Sequence, residues 1–149
     1  MTNKEHWDRV FETKSENEVS WFQLYPKTSV AFFESLNLPL DANVIDVGGG
    51  DSRLVDVLID KGYSNIYVLD ISMNALLRAK KRLGDKAVRV NWIVSDIVDF
   101  KPPVKFDFWH DRAAFHFLTT EERINKYVSI AEGAINEGGY MILGTFSEK

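Results

Sequence analysis

Three consecutive glycines at the end of an apolar run constrain this chain more than any other part of its sequence. Val44-Ile45-Asp46-Val47 reads as a buried strand, and Gly48-Gly49-Gly50 stops it abruptly. A helical pattern follows, with Leu54, Val55, Leu58 and Ile59 sharing one face through Lys61. Strand, glycine turn and helix, in that order, open a nucleotide-cofactor site in an α/β sheet. Glycine admits backbone angles closed to other residues and lets the main chain approach a ligand. Alone, the motif is equally a tight turn with no ligand.

The residues around the loop narrow the choice. A dinucleotide fingerprint places a third glycine where this chain has Arg53. A phosphate-binding loop would end in Gly-Lys-Ser/Thr, which is missing here. Instead Asp46 stands two residues before the first glycine. A carboxylate there suits a cationic ligand better than a pyrophosphate, and S-adenosylmethionine carries both an ammonium and a sulfonium. A second β-rich run, Asn65 to Leu69, ends in Asp70, 20 residues after Gly50. The acid closing the second strand of a βαβ unit faces the same crevice and can bind ribose hydroxyls. Asp70 or Ser72 could equally cap the helix that follows.

The chain has 149 residues, which predicts one domain. Its net charge of −4 gives no basic footprint for nucleic acid. The cluster Arg78-Ala79-Lys80-Lys81-Arg82 reads as the solvated face of a helix. No cysteine is present, which removes disulfides, thiolate metal sites and thiol nucleophiles. There is no apolar run of membrane-spanning length, and the first residues lack a signal peptide's apolar core. The expectation is a soluble cytoplasmic protein with no membrane partner.

Further along, residues 3–14 suggest an amphipathic helix, and Val19–Tyr25 is rich in aromatics. Helices are expected from Thr28 to about Leu36, from Ser72 to near Gly84, and from Thr119 or Thr120 to about Ile135. Strands are expected over Val88–Val94, Phe106–His110 and Tyr140–Phe146, with Asn136–Gly139 as a turn. Alternating strands and helices imply right-handed crossovers and a doubly wound, mainly parallel α/β sheet of order 3-2-1-4-5. Ligands then bind at the carboxyl ends of the strands, at the switch between strands 1 and 4.

On these residues the chain resembles the class I S-adenosylmethionine-dependent methyltransferases over about residues 40 to 146. The carrying elements are Val44–Gly50, Leu69-Asp70, Ser95-Asp96-Ile97, Phe106–Leu118 and Gly138-Gly139-Tyr140. The run from Trp109 to Leu118 looks like a small bacterial subgroup, some relatives of which resemble protein-lysine methyltransferases. The resemblance implies a Rossmann-like core over 39–149, an N-terminal helical cap over 1–38, and S-adenosylmethionine as cofactor, leaving as S-adenosylhomocysteine. It further implies that Gly48, Gly49 and Gly50 bring backbone against the methionine portion and that Asp46 lies near its ammonium. Asp70 would hold the ribose and Ile71 would lie beside the adenine. Asp96 would accept from the adenine amino group, the Ile97 backbone would contact the ring, and Asp111 would close the site beneath the sulfonium. Trp21 is the expected aromatic lid.

Members of this family continue past strand 5 with a helix and two more strands, so the core is expected to be C-terminally truncated, a fragment or a short protein completed by association. Strand 5 is then an apolar edge through which a homo-oligomer could form. Asp111 and His110 are the candidate acid/base residues. The three histidines, His6, His110 and His116, lack metal-ligand spacing, and no metal site is expected. Trp92 and Trp109 are expected in the core. The acceptor is a small molecule or a protein side chain. The competing reading is a binding or assembly module that keeps the fold without turnover; an NAD-dependent reductase ranks third.

Overall fold

The structure is a computed structural model that describes residues 27–50, 52–111 and 118–143. Helix α1 (Lys27–Ser35) leads to strand β1 (Asn43–Val47), helix α2 (Leu54–Asp60) and strand β2 (Asn65–Asp70). Helix α3 (Met73–Leu83) is followed by a 3₁₀ segment (Gly84–Arg89) and strand β3 (Val90–Val94). A short 3₁₀ turn (Ile97–Asp99), strand β4 (Phe106–Asp111), helix α4 (Glu121–Ala134) and strand β5 (Ile135–Leu143) complete the order. The five strands form one parallel sheet in the order β3-β2-β1-β4-β5, as the alternating pattern predicts.

Both sheet faces are covered, which is why the central strands read as continuous apolar runs. On one face Val44, Val68 and Phe108 pack with Val30 and Phe33 of α1, Leu54, Val55 and Leu58 of α2, and Leu76 of α3. On the other, Ile45, Val47, Leu69 and Trp109 pack with Tyr127, Ala131 and Ala134 of α4 and with Ile97. The helix ends follow capping chemistry. The Ser72 hydroxyl accepts from the Ala75 N–H, and Thr120 accepts from Arg123. Ser72 therefore caps α3, leaving Asp70 for other work.

Three expectations are corrected. Strand β5 begins at Ile135 rather than Tyr140, but the expected turn at Asn136–Gly139 lies within it: those residues stand opposite Asp107 alone, between the pairs Ile135–Phe106 and Tyr140–Phe108. A Cβ on Gly139 would come within 2.9 Å of the Asn136 carbonyl oxygen, so the chain folds back on itself there and leaves room for glycine only. Strand β3 starts at Val90 rather than Val88, because residues 84–89 coil into the 3₁₀ segment. Trp92 is half-buried instead of central, since β3 is the sheet's edge; its indole N–H donates to the Ala87 carbonyl. The predicted helix at 3–14, the aromatic segment with Trp21, and the end of strand 5 at Phe146 lie outside the described residues.

Candidate functional site

Strand register brings the predicted residues to one level. Asp46 pairs with His110, Val47 with both Leu69 and Asp111, and Asp70 with Val94. The carboxyl ends of β1, β2, β3 and β4 therefore meet at the β1/β4 switch.

The glycine loop is held by β2. Gly48 turns the chain at φ +71° and donates its N–H to the Leu69 carbonyl at 2.7 Å. Gly50 donates to Asp70 Oδ2 at 2.9 Å, and Ser72 donates its backbone N–H to Asp70 Oδ1 at 2.8 Å. The buried carboxylate thus joins the loop after β1 to the start of α3. A side chain at Gly50 has no room: its Cβ would stand 2.5 Å from the Ala75 Cβ and 2.8 Å from Asp70 Oδ2. Ile71, beside it, is half-buried.

Asp46 lies flush against the same loop. A Cβ on Gly49 would meet Asp46 Oδ2 at 2.4 Å. The aspartate is 1% exposed, and its two oxygens differ. Oδ1 pairs with His110 Nδ1 at 2.8 Å, while Oδ2 has no hydrogen-bond partner among the described residues. A buried acceptor left unpaired costs about 1–3 kcal/mol, more when charged. Such an atom beside a glycine loop is suited to a donor that the described residues do not supply.

His110 is more enclosed than a strand-end residue facing a crevice would be. It is 1% exposed, stacked on Phe108, with Nε2 2.7 Å from the Ser29 hydroxyl of α1. With Nδ1 against a carboxylate, the neutral ring carries its proton on Nδ1 and presents Nε2 as an acceptor for Ser29. Ser29 escaped the sequence analysis. It lies 81 residues from His110, and a serine on a short helix carries no local signal.

Asp111, the next residue, points to the opposite face, because side chains alternate along a strand. It is fully buried and accepts from the Tyr127 hydroxyl at 2.5 Å, while Trp109 Nε1 donates to the same Tyr127 oxygen at 3.0 Å. Burial, then the charge and hydrogen bond of Asp111, push the Tyr127 hydroxyl well above the ordinary tyrosine value; the Trp109 bond opposes this. The structure therefore separates the two predicted acid/base candidates instead of bringing them together.

At the β3 end both Asp96 oxygens are engaged: Oδ1 by the Val98 N–H at 3.3 Å and Oδ2 by Arg123 at 2.5 Å. Arg123 was not singled out by the sequence either. It sits one turn into α4, a position invisible without the tertiary fold. Ile97 is buried in the core beneath this pair. Arg82 corrects the reading of its cluster as solvated. It reaches both oxygens of Asp56 and the Ser52 carbonyl, clamping α3 to α2 beside the loop. Among the described residues, no group of three or more His, Cys, Asp or Glu side chains is arranged to hold a metal ion. Trp21 and His116 lie outside the described residues.

A family model described as a methyltransferase domain matches residues 44–139. EEF1A lysine methyltransferase 2 of Mus musculus is 27% identical over 164 residues, covering 96% of this chain and 65% of the mouse protein. Malonyl-[acyl-carrier protein] O-methyltransferase 2 of Ilyobacter polytropus is 26% identical over 107 residues, covering 71% of this chain and 40% of that protein. The chain thus spans less than two thirds of either relative. The glycopeptide N-methyltransferase MtfA complexed with S-adenosylmethionine superposes with a TM-score of 0.68 at 20% identity, covering 82% of this chain and 55% of MtfA. Structures of MtfA with sinefungin and with S-adenosylhomocysteine give 0.67 and 0.69.

Proposed function

Since the chain belongs to the methyltransferase-domain family, we propose that it transfers a methyl group from S-adenosylmethionine to a small-molecule or protein acceptor. The observation that carries this reading is the buried Asp46 Oδ2, unpartnered among the described residues, lying against the Gly49 backbone. A cationic ammonium fits that atom, while a pyrophosphate would be repelled by it. The cofactor supplies an electrophilic methyl group on a sulfonium, with a neutral thioether as leaving group.

The chain's own part is to bind and orient. Gly48, Gly49 and Gly50 admit the methionine portion against backbone, with Asp46 toward its ammonium. Asp70 faces the ribose hydroxyls. Ile71 flanks the adenine, Asp96 takes its amino group beside Arg123, and the Ile97 backbone contacts the ring. Asp111, held by Tyr127, closes the floor, and His110 serves the acceptor as acid/base. Residues 1–38 form the cap, with Trp21 as lid. The names of the two relatives, one a lysine methyltransferase and one a malonyl-carrier O-methyltransferase, leave protein and acyl acceptors both in view. We place the protein in the cytoplasm; among the described residues no helix is long and apolar enough to cross a membrane. The net charge of −4 argues against a nucleic-acid partner.

A second reading, an assembly module without turnover, draws on β5, where Tyr140, Met141 and Leu143 are each more than a third exposed. Calorimetric titration with S-adenosylmethionine, S-adenosylhomocysteine and NAD tests the first reading. Micromolar binding of the S-adenosyl pair alone is the expected result, and binding of none would overturn it. Sedimentation velocity tests the second: a monomer that transfers methyl groups would dispose of it.

A further inference from the structure

The chain Asp46–His110–Ser29 has an order that cofactor binding alone does not require. Asp46 Oδ1 meets Nδ1 at 2.8 Å, and Nε2 meets the Ser29 hydroxyl at 2.7 Å. The aspartate and the imidazole are each 1% exposed, whereas Ser29 is half-buried. Of the three side chains, the serine is the one that reaches the surface. A carboxylate that fixes an imidazole tautomer, with a hydroxyl on the far nitrogen, is an arrangement that accepts a proton from the hydroxyl side.

We propose that Ser29, His110 and Asp46 form a proton relay serving the methyl acceptor, and that the acceptor group is an amine. The inference rests on the methyl-transfer reading above. An alkylamine has a pKa of about 10.4, so it arrives as an ammonium with its lone pair occupied. The ammonium gives a proton to Ser29 Oγ as the Ser29 hydroxyl proton passes to His110 Nε2. The resulting imidazolium is held between Ser29 and the Asp46 carboxylate. The freed amine lone pair then forms the C–N bond as the C–S bond breaks, its electron pair remaining on sulfur. The product is a methylated ammonium, and the imidazolium later returns its proton to solvent. A carboxylate acceptor has no proton to give up and would approach a buried negative charge. Ser29 is the catalytic residue of the relay, and His110 and Asp46 act through it.

Two measurements on the full chain test this without knowing the natural acceptor. The first uses protein labelled with ¹⁵N in its histidine rings, bound to S-adenosylhomocysteine, with His110→Gln to assign the signals. The expected His110 ring is protonated at Nδ1 and bare at Nε2. Ser29→Ala should shift the Nε2 resonance and Ser29→Thr should restore it. A ring protonated at Nε2 alone, or one indifferent to Ser29→Ala, would overturn the relay.

The second uses S-adenosylhomocysteine analogues whose sulfur is replaced by nitrogen bearing a short arm. The arm ends in an amine, a hydroxyl or a carboxylate. Calorimetry should find the amine arm at least about tenfold tighter than the other two. That advantage should vanish in Ser29→Ala and persist in Ser29→Thr. A hydroxyl or carboxylate arm that binds as tightly would overturn the amine assignment. Failure of the wild-type chain to bind S-adenosylhomocysteine would instead bring down the methyl-transfer reading itself.

Discussion

His110 and Asp111 are adjacent in β4, yet one is hydrogen-bonded to Asp46 on the α1–α3 face and the other to Tyr127 on the α4 face. Strand alternation makes this division unavoidable. It splits the end of β4 into two functions. His110 belongs to a polar chain that opens at Ser29, and Asp111 belongs to a buried chain that runs through Tyr127 to Trp109. A single acid/base pair built from both residues is ruled out by that geometry.

Replacing Asp70 by alanine should weaken S-adenosylmethionine binding by more than tenfold, or about 1.4 kcal/mol. The substitution also releases the Gly50 and Ser72 N–H groups. Thermal unfolding in the absence of ligand therefore accompanies the calorimetry. Unchanged affinity in a folded variant would sink the ribose assignment.

Gly50→Ala tests the close approach of loop and helix. Its new methyl group meets Ala75 at 2.5 Å and Asp70 Oδ2 at 2.8 Å, and neither the α3 backbone nor the doubly bonded carboxylate can easily retreat. Overpacking of this kind costs about 1–3 kcal/mol. Urea denaturation reads that loss, and a variant as stable as the wild type would mean that the loop adapts.

Tyr127→Phe removes the hydroxyl that donates to Asp111, leaving a buried carboxylate short of one donor. A loss of about 1.5–3 kcal/mol is expected, the range for hydrogen bonds to charged groups. The raised folded-state pKa of Tyr127 also gives a pH signature. Below the unfolded tyrosine pKa of about 10, both states keep the proton and this contribution is fully present. Above it the unfolded chain ionises first, so stability falls as pH rises. Denaturation between neutral pH and pH 11 should show that decline, with a shallower slope in Tyr127→Phe. Equal slopes would contradict the assignment.

Arg123 and Asp96 are each partly exposed, at 30% and 22%, so their ion pair should contribute at most about 1 kcal/mol to folding. In the proposed function this pair lies at the adenine end of the site. Asp96→Ala should reduce S-adenosylhomocysteine affinity more than Arg123→Ala does, because the arginine acts only by orienting the acid. The reverse order by calorimetry would reassign adenine contact to the arginine.

Much of this was legible in the sequence. The strand-glycine-helix order, the acid at the end of β2 and the alternation of elements determined the sheet, its strand order and the level at which the site lies. These are local signals: runs of apolar residues, glycines where side chains have no room, and caps such as Ser72 and Thr120. Legibility failed where a local cue had two meanings. Gly138-Gly139 marks a turn, and only the pairing of Ile135 with Phe106 shows that the strand begins before it.

Local patterns in the chain fix which residues stand at the strand ends. The folded arrangement fixes which of them touch. Ser29 reaches His110 across 81 residues, Arg82 reaches Asp56 across 26, and Arg123 reaches Asp96 across 27. No periodicity encodes such pairs, because each depends on how helices seat against the sheet once both apolar faces are buried. The Asp46 oxygen has the same origin: its neighbours are placed by packing, and among the described residues packing gives it no donor.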